Sequence, residues 1–308
     1  MFFSKNKTVA EISEPEEIFP LAEDKQPVYV VGESSAALFL AARLQKNGEN
    51  VCLVSTGSKS GFKEFTLKEE YNLQKNKFKI SRVLLMRTAP KLIFFAPEPF
   101  RLKASLACIS AKNALTCPVI GINITKDIGL FKPLFGKEFI SGYLNGCFSQ
   151  NGDTLTAAGR EPVLTLCKND IEENRAKKIV KLLQPLALTP DFKSDENAAF
   201  WQYFAPYSLF ALNSLSNGKN PPAADSKALL AQALTEIAAL AKTPKEEISR
   251  TLSEIPVGCV SEINKYTALG CYSEINTIHE RLTETAKQRK LKIPALKRLL
   301  KQCCCLPK

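Results

Sequence analysis

The residues best placed to do chemistry in this chain form a short turn, Gly32-Glu33-Ser34-Ser35-Ala36-Ala37, between an apolar run and an alanine-rich stretch. The run Pro27-Val-Tyr-Val-Val31 ends at Gly32, and a helix is expected to begin at Ser34 or Ser35. Gly48 closes that helix, and Val51-Cys-Leu-Val54 returns as a second apolar run. A helix start of this kind aims unpaired backbone N–H groups at an anion, and in a βαβ unit the usual anion is a dinucleotide pyrophosphate. Gly32, Ser34 and Ser35 are therefore candidate phosphate contacts. The spacing departs from G-x-G-x-x-G, because Ser34 and Ala37 stand where the second and third glycines would be. Both are small enough to let a backbone approach, whereas Glu33 sets a negative charge beside the phosphates.

The end of the second apolar run bears on cofactor choice. An NAD site usually carries an acid there, on the ribose hydroxyl. This chain has Ser55-Thr56-Gly57-Ser58-Lys59, with no acid before Glu64. Hydroxyls followed by a lysine suit the 2′-phosphate of NADP, so Ser55, Thr56 and Lys59 are candidate contacts; an ordinary polar turn is the alternative. The single histidine, His279, makes a multi-histidine metal centre impossible and leaves no Ser-His-Asp site elsewhere. Neither a P-loop nor zinc-ligand spacing is found, and no metal is expected.

Stepping outward to the elements that would hold these residues, Phe78–Leu85, Lys91–Ala96 and Pro118–Asn123 read as strands. Helical stretches follow Pro97 and Pro99, and lie near Asp127 to Phe135 and over Ile171–Leu183. Alternating strands and helices argue for a parallel, doubly wound sheet. Asn151-Gly152-Asp153 is a hairpin turn between Phe139–Phe148 and Thr154–Ala158, with Glu161–Cys167 as one further strand. Beyond Asp195 strand patterns vanish, and Asn197–Ser216, Ser226–Ala241, Lys245–Leu252 and Glu274–Lys290 look helical. The expected architecture is α/β: an extension at 1–26, a Rossmann-type domain at 27–190, an all-helical domain at 191–302, and a cysteine-rich tail at 303–308.

Composition narrows the function classes. The 308 residues are 45% hydrophobic, enough for a proper core, and carry a net charge of +11. No apolar run is long enough to cross a bilayer, and Met1-Phe-Phe-Ser-Lys5 lacks a secretory signal pattern. Much of the positive excess lies between Lys287 and Lys308. Leu291, Ile293, Leu296, Leu299 and Leu300 make that segment an amphipathic helix with a solvated basic face. No aromatic residue interleaves to stack a base, which counts against a nucleic-acid partner. Ten cysteines without a C-x-x-C pair fit thiols in a reducing cytoplasm better than a disulfide scaffold.

Four segments carry a resemblance to the ketopantoate reductase family. They are the βαβ opening around Gly32; Pro118-Val-Ile-Gly-Ile-Asn123; the hairpin Gly142-Tyr-Leu-Asn-Gly-Cys-Phe-Ser-Gln-Asn-Gly152; and a pair of helical motifs. The first helical motif is led by Phe200-Trp201-Gln-Tyr203 and runs to Asn213. The second is Ser273-Glu274-Ile-Asn276-Thr-Ile-His279, followed by Leu291-Lys-Ile-Pro294. The chain from Val28 to Gln302 is similar to that family, whose members join a Rossmann domain to a helical one and reduce 2-dehydropantoate with NADPH. The resemblance implies an NADPH-dependent reductase of a small 2-oxo acid and leaves a homodimer open. It implies cofactor contact by Asn123, substrate contact by Tyr207, Asn213 and Ser261, and catalytic roles for Tyr203 and Glu274.

The departures fall on the chemistry. Tyr203 stands where the family has its proton-donating lysine, Tyr207 where it has an asparagine, and Glu98 where it has a lysine near the phosphates. The family's substrate serine aligns at Ser261 or Glu262. Hydride transfer leaves negative charge on a carbonyl oxygen, so a proton donor or cation must stand beside it. Tyr203 can donate from its hydroxyl if its pKa falls from about 10; the other expectation is an aromatic packing the domain interface. Glu274 has two expectations as well, a grip on a substrate hydroxyl or a solvated helix start. A relative that keeps the shell without catalysis, as a sensor or interaction module, is the second functional expectation.

Overall fold

The computed structural model describes residues 26–57, 60–109, 117–125, 131–135, 139–167, 173–184, 191–217, 224–256, 259 and 261–304. Lys59, nearly all of the expected extension and residues 305–308 of the tail lie outside the described residues.

Strand β1 (Val28–Val31), helix α1 (Ser35–Lys46) and strand β2 (Val51–Val54) form the opening βαβ unit. β1 and β2 are buried along their whole length, as strands covered on both faces must be. α1 is buried from Ser35 to Leu44 because its alanines let the backbone lie close to the sheet. Gly32 has φ +111°, and a Cβ there would sit 2.5 Å from the Ala96 carbonyl oxygen, so the turn needs glycine.

The sheet has nine strands, in the order β3-β4-β2-β1-β5-β6-β7-β8-β9. Their ranges are β3 (Gly61–Glu69), β4 (Gln74–Val83), β5 (Leu92–Phe95), β6 (Val119–Ile122), β7 (Phe139–Asn151), β8 (Thr154–Cys167) and β9 (Asp191–Lys193). From β4 to β7 the pairs are parallel in the doubly wound order, with the order reversing at β1 and β5. β3 is antiparallel to β4, and β8 is antiparallel to β7. Thr66–Glu69 of β3 also pairs with Thr154–Ala157 of β8, joining the two flanks of the sheet. β8 is continuous where the sequence suggests two strands, and β9 carries the sheet past residue 190.

Helices α2 (Leu102–Ala107), α3 (Lys132–Phe135) and α4 (Glu173–Leu183) accompany the sheet. The helical part comprises α5 (Glu196–Asn217), α6 (Ala224–Ala241), α7 (Lys245–Ser253), α8 (Glu262–Ala268), α9 (Ser273–Gln288) and α10 (Pro294–Cys304). Three apolar cores result. One lies under α1 against Val28, Val30 and Leu53, and a second lies on the opposite face with Phe95, Phe131 and Phe139. The third fills the helical part around Trp201, Phe204 and Ile278. α10 buries Leu296, Leu299 and Leu300 and exposes Lys297, Arg298 and Lys301, so the basic face is solvated. No helix among the described residues is long and apolar enough to cross a membrane, and no described cluster of His, Cys, Asp and Glu could hold a metal.

The cysteines depart from the sequence expectation. Cys147 of β7 and Cys259, between α7 and α8, are joined by a disulfide across 112 residues of chain. Spacing alone does not show such a pair, because the fold and not the sequence brings the two thiols together. Cys52, Cys108 and Cys271 carry free thiols.

A buried ion pair fastens the β3–β4 hairpin to α1. Arg43 Nε lies 2.9 Å from Glu69 Oε1, and the Glu69 side chain is fully buried. The Tyr71 hydroxyl donates to the same oxygen at 2.5 Å, and Glu161 meets Arg43 at 3.2 Å. Glu69→Ala leaves the guanidinium without its buried partner and should cost about 3–5 kcal/mol. Urea unfolding of the variant beside the parent measures that loss.

Candidate functional site

At the carboxyl ends of β1 and β5, where the strand order reverses, a doubly wound sheet opens the crevice that holds a ligand. Next to that position, reached by Ala36 of the first turn of α1, a cleft of about 140 Å³ lies between the sheet and the helical part. Its floor is α1 and Asn123; its walls are β7, β8, α5 and the start of α8. The volume is below the roughly 300–1,000 Å³ of pockets that enclose ligands of drug size.

Several groups of the α1 turn are engaged by the chain itself. Ser34 caps the helix: its Oγ accepts from the Ala37 N–H at 3.2 Å and donates to the Ala96 carbonyl at 2.8 Å. Ser35 offers its backbone N–H and its hydroxyl to Glu262 Oε1, at 3.1 and 2.5 Å. The Glu33 N–H donates to Glu98 Oε2 at 3.3 Å. Carboxylates thus accept from two backbone N–H groups of this turn, those of Glu33 and Ser35. Two arginines balance part of this charge: Arg82 stands 3.5 Å from Glu33, and Arg101 stands 3.9 Å from Glu98. Burial pushes the Glu262 carboxyl up, and its two bonds to Ser35 pull it back down.

The other proposed cofactor contacts are arranged as follows. Ser55 is buried and its hydroxyl accepts from the Gly57 N–H at 3.1 Å, an internal turn bond. Thr56 Oγ1 accepts from Arg101 at 3.3 Å, so the cation at the end of β2 is an arginine from the segment after β5. Lys59 lies outside the described residues. Asn123 adopts φ +54° and ties β6 to β7: its Oδ1 accepts from the Leu144 N–H at 2.8 Å.

A dinucleotide bound in a doubly wound fold sets its negatively charged pyrophosphate at the start of the first helix. Three carboxylates, Glu33, Glu98 and Glu262, surround that turn, and Glu262 lies on its N–H. The residues present do not fit the group.

The substrate side is aromatic. The Tyr203 ring stacks between Tyr143 and Tyr207, with centroids 5.4 Å away on each side. Pro206, inside α5, and Phe210 continue this wall. Burial, with Glu274 and Glu262 nearby, pushes the Tyr203 hydroxyl well above its usual 10, opposite to what proton donation to a carbonyl needs. The Tyr207 hydroxyl donates to Glu274 Oε1, while Glu274 Oε2 is buried with no partner among the described residues. Burial raises the Glu274 carboxyl to about 8 from a reference of 4.5, so it is protonated at neutral pH. Glu274 therefore stands behind Tyr207 as a buried acid and not as a solvated helix start.

Ser261 is the N-cap of α8, accepting from the Ile263 N–H at 3.4 Å, and it borders the cleft beside Glu262. Asn213 does not join it. That side chain borders a separate, mostly apolar cavity of about 400 Å³ among Leu209, Leu230, Leu234 and Leu252. Three contributors escape sequence reasoning: Arg160 and Glu254, paired at 2.9 Å at the cleft, and Cys147. They come from β8, from the segment after α7 and from β7, and no spacing in the chain connects them.

No protein-family model and no curated protein sequence matches the chain. Solved structures do. A D-mandelate dehydrogenase bound to NADH and anilino(oxo)acetate superposes with a TM-score of 0.72 at 15% identity, covering 91% of this chain and 97% of its own. The 2-dehydropantoate 2-reductase of Geobacter metallireducens GS-15 gives 0.68 at 14% identity, over 90% and 98%. A dimeric ketopantoate reductase of Staphylococcus aureus gives 0.67 at 14%, over 90% and 97%. The chain therefore has the ketopantoate reductase fold from end to end of those proteins.

The Glu274 geometry sets a pH dependence. A carboxyl whose pKa is raised on folding holds a proton in the native state that the unfolded chain releases. Its stabilising contribution is full below the unfolded pKa of 4.5 and is lost as pH rises through about 8. Glu274→Gln removes that dependence. Urea unfolding at pH 5 and pH 8.5 should show a smaller stability loss in the variant than in the parent.

Proposed function

We propose that this chain binds a small ligand in the cleft between sheet and helices and does not reduce it with a nicotinamide cofactor. One observation carries this reading: Glu262 sits on the Ser35 N–H and hydroxyl, where a cofactor phosphate would have to be. A carboxylate tethered to the same chain competes with any free anion at high effective concentration. Glu98 on the Glu33 N–H reinforces it.

The substrate wall supports the same reading. Reduction of a 2-oxo acid needs a cation or an acidic proton at the carbonyl oxygen and a second positive group for the carboxylate. Arg160 is the guanidinium that borders the cleft, and it is paired with Glu254. The tyrosine stack supplies apolar area and hydroxyls instead. Such a wall suits an uncharged or weakly polar molecule better than a dianion.

A second reading, an NADPH-dependent reductase of a 2-oxo acid, is favoured by Arg101 beside Thr56 at the end of β2. That cation suits a 2′-phosphate. The buried, proton-bearing Glu274 behind Tyr207 adds a proton store close to the cleft.

NADPH fluorescence titration, with NADH alongside and ketopantoate added last, separates the two. The expected result is no saturation below about 1 mM, the upper end of ordinary Michaelis constants, and no nicotinamide oxidation. Saturable NADPH binding followed by oxidation on adding ketopantoate would establish the reductase and end the first reading.

A further inference from the structure

The end of the helical part carries cations that the cleft does not use. No acid follows Glu284 in the sequence, whereas Lys287, Lys290, Lys292, Lys297, Arg298 and Lys301 do. All six are exposed, and none makes an ion pair among the described residues. Arg289, in their midst, has another duty. It donates to the Leu240 carbonyl oxygen and lies 5.8 Å over the Trp201 ring, holding the end of α9 on the helical core. Glu236 of α6 also reaches α10, but its two carboxylate oxygens accept from the Ala295 and Leu296 N–H groups at 2.9 Å each. The six exposed cations are left facing solvent.

Their direction is fixed by packing. At 3.6 residues per turn, Lys297, Arg298 and Lys301 of α10 fall within an arc of about 100°. Ala295, Leu296, Leu299 and Leu300 are buried on the other side, so this arc points outward. Lys290 and Lys292 flank Leu291 in the connection between α9 and α10, and Leu291 is 38% exposed. Such lysines can lay their stems along an apolar layer and keep their ammonium groups in the polar one. Residues 287–302 include no aromatic, so a nucleic-acid base finds nothing to stack on. A leucine between lysines gains nothing from a phosphodiester chain. It gains at the boundary beneath a lipid headgroup, where apolar burial and charge attraction add.

We propose that the face made by the end of α9, the connection at 289–293 and α10 docks on an anionic lipid surface, with its cations against the headgroups and Leu291 at the acyl boundary. A bilayer containing anionic lipid has a negative surface potential, and each lysine or arginine held near it strengthens partition about fivefold. The apolar side of α10 is committed to the core, so the attachment is electrostatic, peripheral and reversible. It weakens as salt shortens the reach of the charges. No residue of the face borders the cleft, so the proposal does not depend on what the cleft binds.

The test is co-sedimentation of the full chain with vesicles of phosphatidylcholine alone and of phosphatidylcholine with phosphatidylserine. Salt is set at about 0.1 M, where the Debye length is about 10 Å, and at about 1 M, where it is about 3 Å. Partition onto the phosphatidylserine vesicles at the lower salt, lost at the higher salt and absent with phosphatidylcholine alone, is expected. Equal partition onto both vesicle types, or none onto either, overturns the proposal. The double variant Lys297→Gln, Lys301→Gln removes two cations from the face and should weaken partition about 25-fold. Lys75→Gln, Lys77→Gln removes the same charge from β4 and should leave partition unchanged. Equal weakening by the two pairs means that net charge alone is at work, and overturns the proposal. The wild-type comparison between vesicle types stands even if a variant misfolds. A duplex DNA offered to the same protein decides the rival polyanion: DNA binding that the α10 pair abolishes, without partition onto vesicles, overturns the lipid surface.

Discussion

A helix that starts at the meeting of two layers must find acceptors for its first N–H groups, and the rest of this molecule is arranged around one answer to that demand. The start of α1 lies at the reversal point of the sheet, where burial makes an unmet donor costly. The acceptor is Glu262, an acid from the first turn of α8. That contact joins α1 to the helical part at the border of the cleft. It also gives the positive end of the α1 dipole a partner from within the chain. The same device recurs at α10, where Glu236 of α6 accepts from the Ala295 and Leu296 N–H groups at 2.9 Å each. Acids on one helix cap the start of another, and at α1 this happens at the ligand crevice of the fold.

Charge placement follows from that. Three arginines near the crevice face acids: Arg82 faces Glu33, Arg101 faces Glu98, and Arg160 faces Glu254. The aromatic wall of Tyr143, Tyr203 and Tyr207 is apolar enough to keep the carboxyl of Glu274 protonated. A cleft of this kind offers aromatic packing area and tyrosine hydroxyls. The fold is that of the ketopantoate reductases, and glutamates stand around the start of its first helix.

The sequence made the opening βαβ unit legible because three signals agree there: an apolar run, a glycine at its end, and a small-residue helix. The β3–β4 hairpin was half visible. Phe78 and Ile80 mark β4, but β3 is exposed along its first half and alternates clearly only from Phe65 onward. Its pairing with β8 is a contact between distant segments that no local pattern encodes. Asn213 illustrates the limit for the site. The resemblance sets it with Tyr207 at the substrate, yet along α5 it borders a separate cavity.

From the sequence alone come the α/β class, the change from strands to helices near residue 190, and the buried alanine helix. These are local: periodicity, turn chemistry and residue type decide them within a few turns of chain. The tertiary structure alone decided which groups meet at the cleft. Glu262 reaches Ser35 across 227 positions, Cys147 reaches Cys259 across 112, and Arg160 meets Glu254 from another strand. A hydrogen bond or disulfide depends on angstroms in space, and chain distance carries no record of them.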